Sequence, residues 1–72
     1  MTITTAQERI EVEMNKFIDK QPRHPFGHGY LWVRLRNGKK FCIGIYGREN
    51  HTAIIDHARE QVGVDYAWIN LD

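Results

Sequence analysis

The sequence predicts an α+β fold, a two-layer sandwich with elements in the order α-β-β-α-β. Two β-rich runs, Tyr30–Arg36 and Lys39–Gly47, flank an Asn37-Gly38 turn pair. Helical apolar periods occur before and after that hairpin, and the run from Tyr66 to Leu71 alternates apolar and polar positions. The strands each carry one aliphatic face, which the two amphipathic helices can cover. The third strand is expected beside the first and antiparallel to it, giving spatial order 2-1-3, in preference to a parallel pairing with the second. Both helices then share one sheet face, and the other face of this mainly antiparallel three-stranded sheet is open.

The first helix starts at Thr5, which with Glu8 forms a capping box: the Thr hydroxyl accepts an early amide and the Glu carboxylate can reach back. Ala6, Ile10, Met14, Phe17 and Ile18 recur at helical spacing, while Val12 falls off that stripe and is expected in solvent. Glu8 in the first turn and Lys20 in the last suit the helix dipole, and Pro22 ends the helix by about Gln21. Residues 21–29 have loop chemistry, with Pro22, Pro25, Gly27 and Gly29. Phe26 is expected to anchor this loop against the core edge. His24 and His28 have the spacing of half a zinc-finger pair but lack an obvious second half, so solvated loop histidines are the preferred reading.

The hairpin register follows from its apolar residues. Leu31, Val33 and Leu35 alternate on one strand, and Phe41, Ile43 and Ile45 on the other. A two-residue turn would put these sets on opposite faces. A three-residue loop of Arg36, Asn37 and Gly38, with Gly38 at positive φ, pairs Leu35 with Lys39 and Val33 with Phe41 and keeps them together. Arg48-Glu49-Asn50 then leads to the second helix, with Asn50 as its cap. His51, Ile54, Ile55, Ala58 and Val62 form its apolar side, Gly63 is its C-terminal cap, and Val64 makes the accompanying contact. His51 is expected partly buried and locally bonded, and His57 solvated. In the last strand Ala67, Ile69 and Leu71 face the core, and Tyr66, Trp68 and Asn70 face away.

At 72 residues the chain is one small domain spanning 1–72, a size at which a core is worth about 3–5 kcal/mol net. A net charge of +1 does not mark a strongly basic protein, so any electrostatic footprint must come from clustering. Cys42 is the single cysteine, which excludes an intrachain disulfide and a cysteine-based zinc site. The N-terminal residues Met1-Thr2-Ile3-Thr4-Thr5 show no apolar h-region, and an intracellular, cytoplasmic location is the default expectation. No cofactor, metal or membrane partner is indicated.

The open face is where the chemistry concentrates. It is expected to carry Tyr30, Trp32, Tyr46, Tyr66 and Trp68, all the tyrosines and tryptophans of the chain, with Arg34, Arg36, Lys39 and Lys40 around the hairpin tip. Each ring can bury about 150–250 Å², so together they rival the roughly 300–600 Å² of the largest patch on an ordinary monomer. Packing of the rings on one another for sheet stability is the plain alternative. The functional expectation is a non-enzymatic binding module: a protein-interaction domain, acting as inhibitor or adaptor of a larger machine, or a homodimer through the sheet. Tyr, Trp and Arg are the side chains that dominate such interfaces. The low net charge places protein ahead of the first alternative, single-stranded nucleic acid held by base stacking and phosphate contacts. A small His-dependent ribonuclease toxin is the further alternative, and would need a histidine beside a second acid or base and an arginine for phosphate. Gly44-Ile45-Tyr46-Gly47 matches the letters of a phosphate-clamping GXXG loop, but its glycines belong to a strand and its end rather than to a helix–helix loop. Cys42 and Gly44, between the rings, are expected to leave a shallow groove.

Overall fold

A computed structural model describes residues 5–47 and 50–71; Arg48 and Glu49, expected to lead into the second helix, lie outside the described residues. Its elements are α1 (Ala6–Asp19), β1 (Gly29–Leu35), β2 (Lys40–Ile45), α2 (His51–Arg59) and β3 (Val64–Leu71). The sheet order is β2-β1-β3, with β1 antiparallel to both neighbours. Both helices cover one face, as the apolar periods require, and the other face is open.

Thr5 caps α1: its hydroxyl accepts the Glu8 N–H at 3.1 Å. Ile10, Met14 and Ile18 of α1 are buried with Ile54 and Ala58 of α2 against Leu31, Val33, Leu35, Phe41, Ile43 and Ile45 of the hairpin. Phe17, Ile55 and Ile69 pack at the margin of this cluster. Val12 is exposed, as its place off the stripe implies. The hairpin closes as the register argument demands. Val33 lies opposite Phe41, the Leu35 N–H donates to the Lys39 carbonyl at 2.8 Å, and the Gly38 N–H donates to the Leu35 carbonyl at 3.0 Å. Gly38 has φ +92°, a conformation that costs any L side chain.

Four details of the helix ends and loops differ from the sequence reading. Phe26 does not anchor the linker and is 72% exposed. Its N–H donates to His24 Nδ1 at 3.1 Å, and this tight local turn holds the ring outward beside the His24 imidazole. Asn50 occupies the N-cap position without capping; its amide donates to Gln21 Oε1 at 3.2 Å instead, tying α2 to the end of α1. The helix α2 stops at Arg59, so Val62 leaves the apolar stripe and is 80% exposed. Gly63, at φ +92°, closes a turn in which the Val64 N–H donates to the Gln61 carbonyl at 3.2 Å, and Val64 begins β3 buried.

The histidines of α2 also differ. His57 is not solvated: its ring stacks on Phe17 of α1 at 4.1 Å and its Nε2 lies 3.3 Å from Glu13 Oε1. His51 is partly buried as expected, but its Nε2 has no local partner. A position on the helix wheel gives the side that a residue occupies, not the neighbour it meets, and α1 supplies the neighbour here.

Candidate functional site

The open face is built on β1, the central strand, whose even-numbered residues point away from the helices. Cross-strand register sorts the face into rows. Tyr30 lies between Gly44 and Asn70, Trp32 between Cys42 and Trp68, and Arg34 between Lys40 and Tyr66. The tryptophans meet in the middle row, with ring centroids 6.2 Å apart and planes inclined by 12°. Tyr66 tilts against Trp68 at 5.9 Å. Tyr30 and Tyr66 are about half exposed, and both tryptophans are half-buried by their neighbours on the face.

Tyr46 is 73% exposed, and its ring folds back over Gly44, where an added Cβ would sit 2.9 Å from the phenol oxygen. The groove expected at Cys42 and Gly44 is therefore occupied at its Gly44 end by Tyr46. Cys42 is exposed on the same face, opposite Trp32. All five rings thus fall on the side expected of them. Leu71 keeps the core-side parity of Ala67 and Ile69 but is not buried as expected. It pairs with Gly29 at the end of the sheet, is 56% exposed, and lines a shallow cavity of about 290 Å³ with Pro25, Phe26 and His28.

A β-bulge shapes the basic end. Leu35 pairs with Val64 and Arg34 with Tyr66, so Asp65 is an extra residue on β3. The extra residue lets Val64 and Ala67 both face the core. It also brings the Asp65 carboxylate to Arg34, 2.9 Å from the guanidinium. Sequence alternation cannot show this, because a bulge is a break in alternation. Arg36, Lys39 and Lys40 are exposed, and no carboxylate lies within ion-pair distance of them among the described residues. Lys39, however, pairs with Leu35 and lines a cavity with Thr5, Ala6 and Gln7, so it lies on the helix side and not with the rings as expected. Arg34 and Lys40 are directly opposed across the hairpin.

One cation was not legible in the strands. Arg59, at the end of α2, wraps round the free edge of β3. Its guanidinium donates to the Ala67 carbonyl at 3.2 Å and lies over the Tyr66 ring, 4.7 Å from the centroid. Arg34 approaches the same ring at 5.9 Å. The only signal in the sequence is a cation in the last helical turn before a strand, which many helices have.

Charge is divided between the layers. Of the nine Asp and Glu residues, Glu8, Glu11, Glu13 and Asp19 lie on α1, and Asp56 and Glu60 on α2 or its C-cap. Asp65 is the one described carboxylate on the sheet. The helices carry Arg9, Lys16, Lys20 and Arg59 against those six, and Arg59 reaches toward the sheet.

Of the histidines, His24 and His28 lie in the linker, His51 heads α2, and His57 is paired with Glu13 between the helices. No three His, Cys, Asp or Glu side chains converge as metal ligands among the described residues. No helix among the described residues is long and apolar enough to cross a membrane. Comparison with protein-family models, with curated proteins and with solved structures gives no match.

Proposed function

We propose that this chain is a non-enzymatic binding module that engages a macromolecular partner through its open sheet face and hairpin tip, as an inhibitor or adaptor of a larger machine. One observation carries the reading. The rings of Tyr30, Trp32, Tyr46, Tyr66 and Trp68 lie on the face that the helices leave bare, beside a tip whose Arg36 and Lys40 have no carboxylate partner among the described residues. A domain with so small a core gains little from keeping large rings half in water unless something covers them.

The sequence argument for a protein partner ahead of nucleic acid is the net charge of +1. That argument weakens once the carboxylates sit on the helical layer, because a partner at the sheet meets the local field rather than the sum. An acidic protein surface and a polyanion both answer the same tip.

The reading requires that the rings be dispensable for folding. Trp32→Ala combined with Trp68→Ala should keep a cooperative thermal transition, at a lower midpoint, while removing the binding surface. Loss of the cooperative transition in circular dichroism would make the stack part of the core and remove the face as a site.

A further inference from the structure

We infer that the partner of this face is single-stranded nucleic acid, with bases on the ring rows and phosphates on the tip cations. The inference rests on the binding-module reading and names its ligand. The first ground is what the face lacks. Apart from its rings, its paired positions are Arg34, Lys40, Cys42, Gly44 and Asn70, with no Leu, Ile, Val or Met among them. The buried centre of a protein interface is apolar and depleted of charge, and homodimer interfaces are more apolar still. A second copy laid on this face would bring its own Arg34, Arg36 and Lys40 with it. Bases need only a π-face and a cation near the backbone, and both are here.

The second ground is a local conflict. Arg34 and Lys40 are directly opposed, and Arg36 follows at the tip; Lys39, paired with Leu35, lies on the helix side beside Thr5, Ala6 and Gln7. Like charges directly opposite destabilise an antiparallel pair. Asp65 offsets only Arg34. A bound polyanion removes the conflict, whereas a neutral partner leaves it and adds desolvation. Local rules tend to be broken where a site is being built.

The third ground is dimension. Successive rows are two residues apart, about 6.8 Å by strand rise, and Tyr30 to Arg36 spans about 20 Å. Rings occur in the Tyr30 row, the Trp32–Trp68 row and the Tyr66 row, with Tyr46 over Gly44. That is room for two or three bases, the number commonly stacked on RNA-binding sheets. The bases of a duplex keep their π-faces inside the stack, so the ligand is single-stranded.

The test is tryptophan fluorescence of the intact chain titrated with a mixed-sequence single-stranded oligonucleotide. Saturable quenching is expected. If Arg36 and Lys40 neutralise about two phosphates, affinity should fall about sevenfold between about 50 and 200 mM salt. Arg36→Glu with Lys40→Glu should weaken binding and remove most of that salt effect. Tyr30→Ser should cost about tenfold with the salt effect intact, as loss of a stacking ring does. Tyr30 is already half exposed, and the tip residues lie outside the core, so these variants should fold.

A flat titration at the low salt overturns the inference. So does a duplex of the same sequence binding as tightly as the single strand. Quenching by polyglutamate without quenching by the oligonucleotide overturns it while leaving the module reading standing as a protein site. A concentration-dependent dimer with blue-shifted emission in the free protein likewise assigns the face to a second copy. The module reading itself fails only if the double tryptophan variant loses its cooperative transition.

Discussion

Replacing Lys40 with glutamate separates the two roles of the hairpin's charges. Lys40 faces Arg34 across the β1–β2 pair, so Lys40→Glu converts a like-charge pair into an opposite-charge pair. Cross-strand pairs of this kind are worth about 0.2–1 kcal/mol. Arg34 is already engaged by Asp65 at 2.9 Å, and both partners are about half exposed, so the gain belongs near the lower half of that range, about 0.5 kcal/mol. For a domain of this size 1 kcal/mol moves Tm by about 4–8 °C, which makes the expected rise about 2–4 °C. The rise should shrink in about 1 M salt, where the Debye length is near 3 Å. The same substitution should weaken binding to an anionic partner. Scanning calorimetry at low and high salt reads the first effect, and fluorescence titration reads the second. A lower Tm at low salt would refute the claim that the tip charges oppose folding. A higher Tm with undiminished oligonucleotide affinity would show that Lys40 lies outside the site.

Two further substitutions test how the face is held. Gly29→Ala should destabilise by about 1–3 kcal/mol, as overpacking does, because a Cβ there would overlap the Asn70 carbonyl oxygen on β3; urea unfolding with a wild-type midpoint would refute that close approach. His57→Ala should cost about 0.5–1.5 kcal/mol by removing an aromatic stack, here the one with Phe17 across α1 and α2. Stability unchanged in urea would mean that the stack contributes nothing to holding the helices.

The elements and their order were legible because each is a matter of period; the place of β3 beside β1 was the preferred of two arrangements that period does not separate. Apolar spacing separates helix from strand, and Gly38 can close the hairpin in only one register that keeps Leu31, Val33, Leu35, Phe41, Ile43 and Ile45 together. The same alternation placed every ring of the face on its correct side. What escaped the sequence depends on contacts between distant segments or on breaks in the period. The Asp65 bulge interrupts alternation in β3, so the partner of Arg34 was invisible. Arg59 reaches the face from a helix, and no strand pattern can include it. Phe26 was expected against the core edge because it is apolar, and Leu71 on the core face by alternation; Leu71 keeps its side, yet both are exposed and line the same shallow cavity at the end of the sheet. Apolar character gives a tendency to be buried, and the cover available at that point decides the outcome.

The central position of β1 has a consequence for how the face comes into being. The β1–β2 hairpin closes over a three-residue loop, a local event. The β1–β3 pairing must wait for β2, α2 and the turns between them to be laid down, and non-local pairings of that kind form late. Trp32 belongs to the early hairpin and Trp68 to the late strand, so the stacked pair at the middle of the face is a seam between two stages of folding. Until β3 docks, Trp68 and Tyr66 are absent from the platform. The stability that governs the site is then that of β3 against local opening, which amide exchange along Val64–Leu71 measures directly. A ligand that stacks across Trp32 and Trp68 would also act as a clasp on the last strand, slowing exchange there more than in the hairpin.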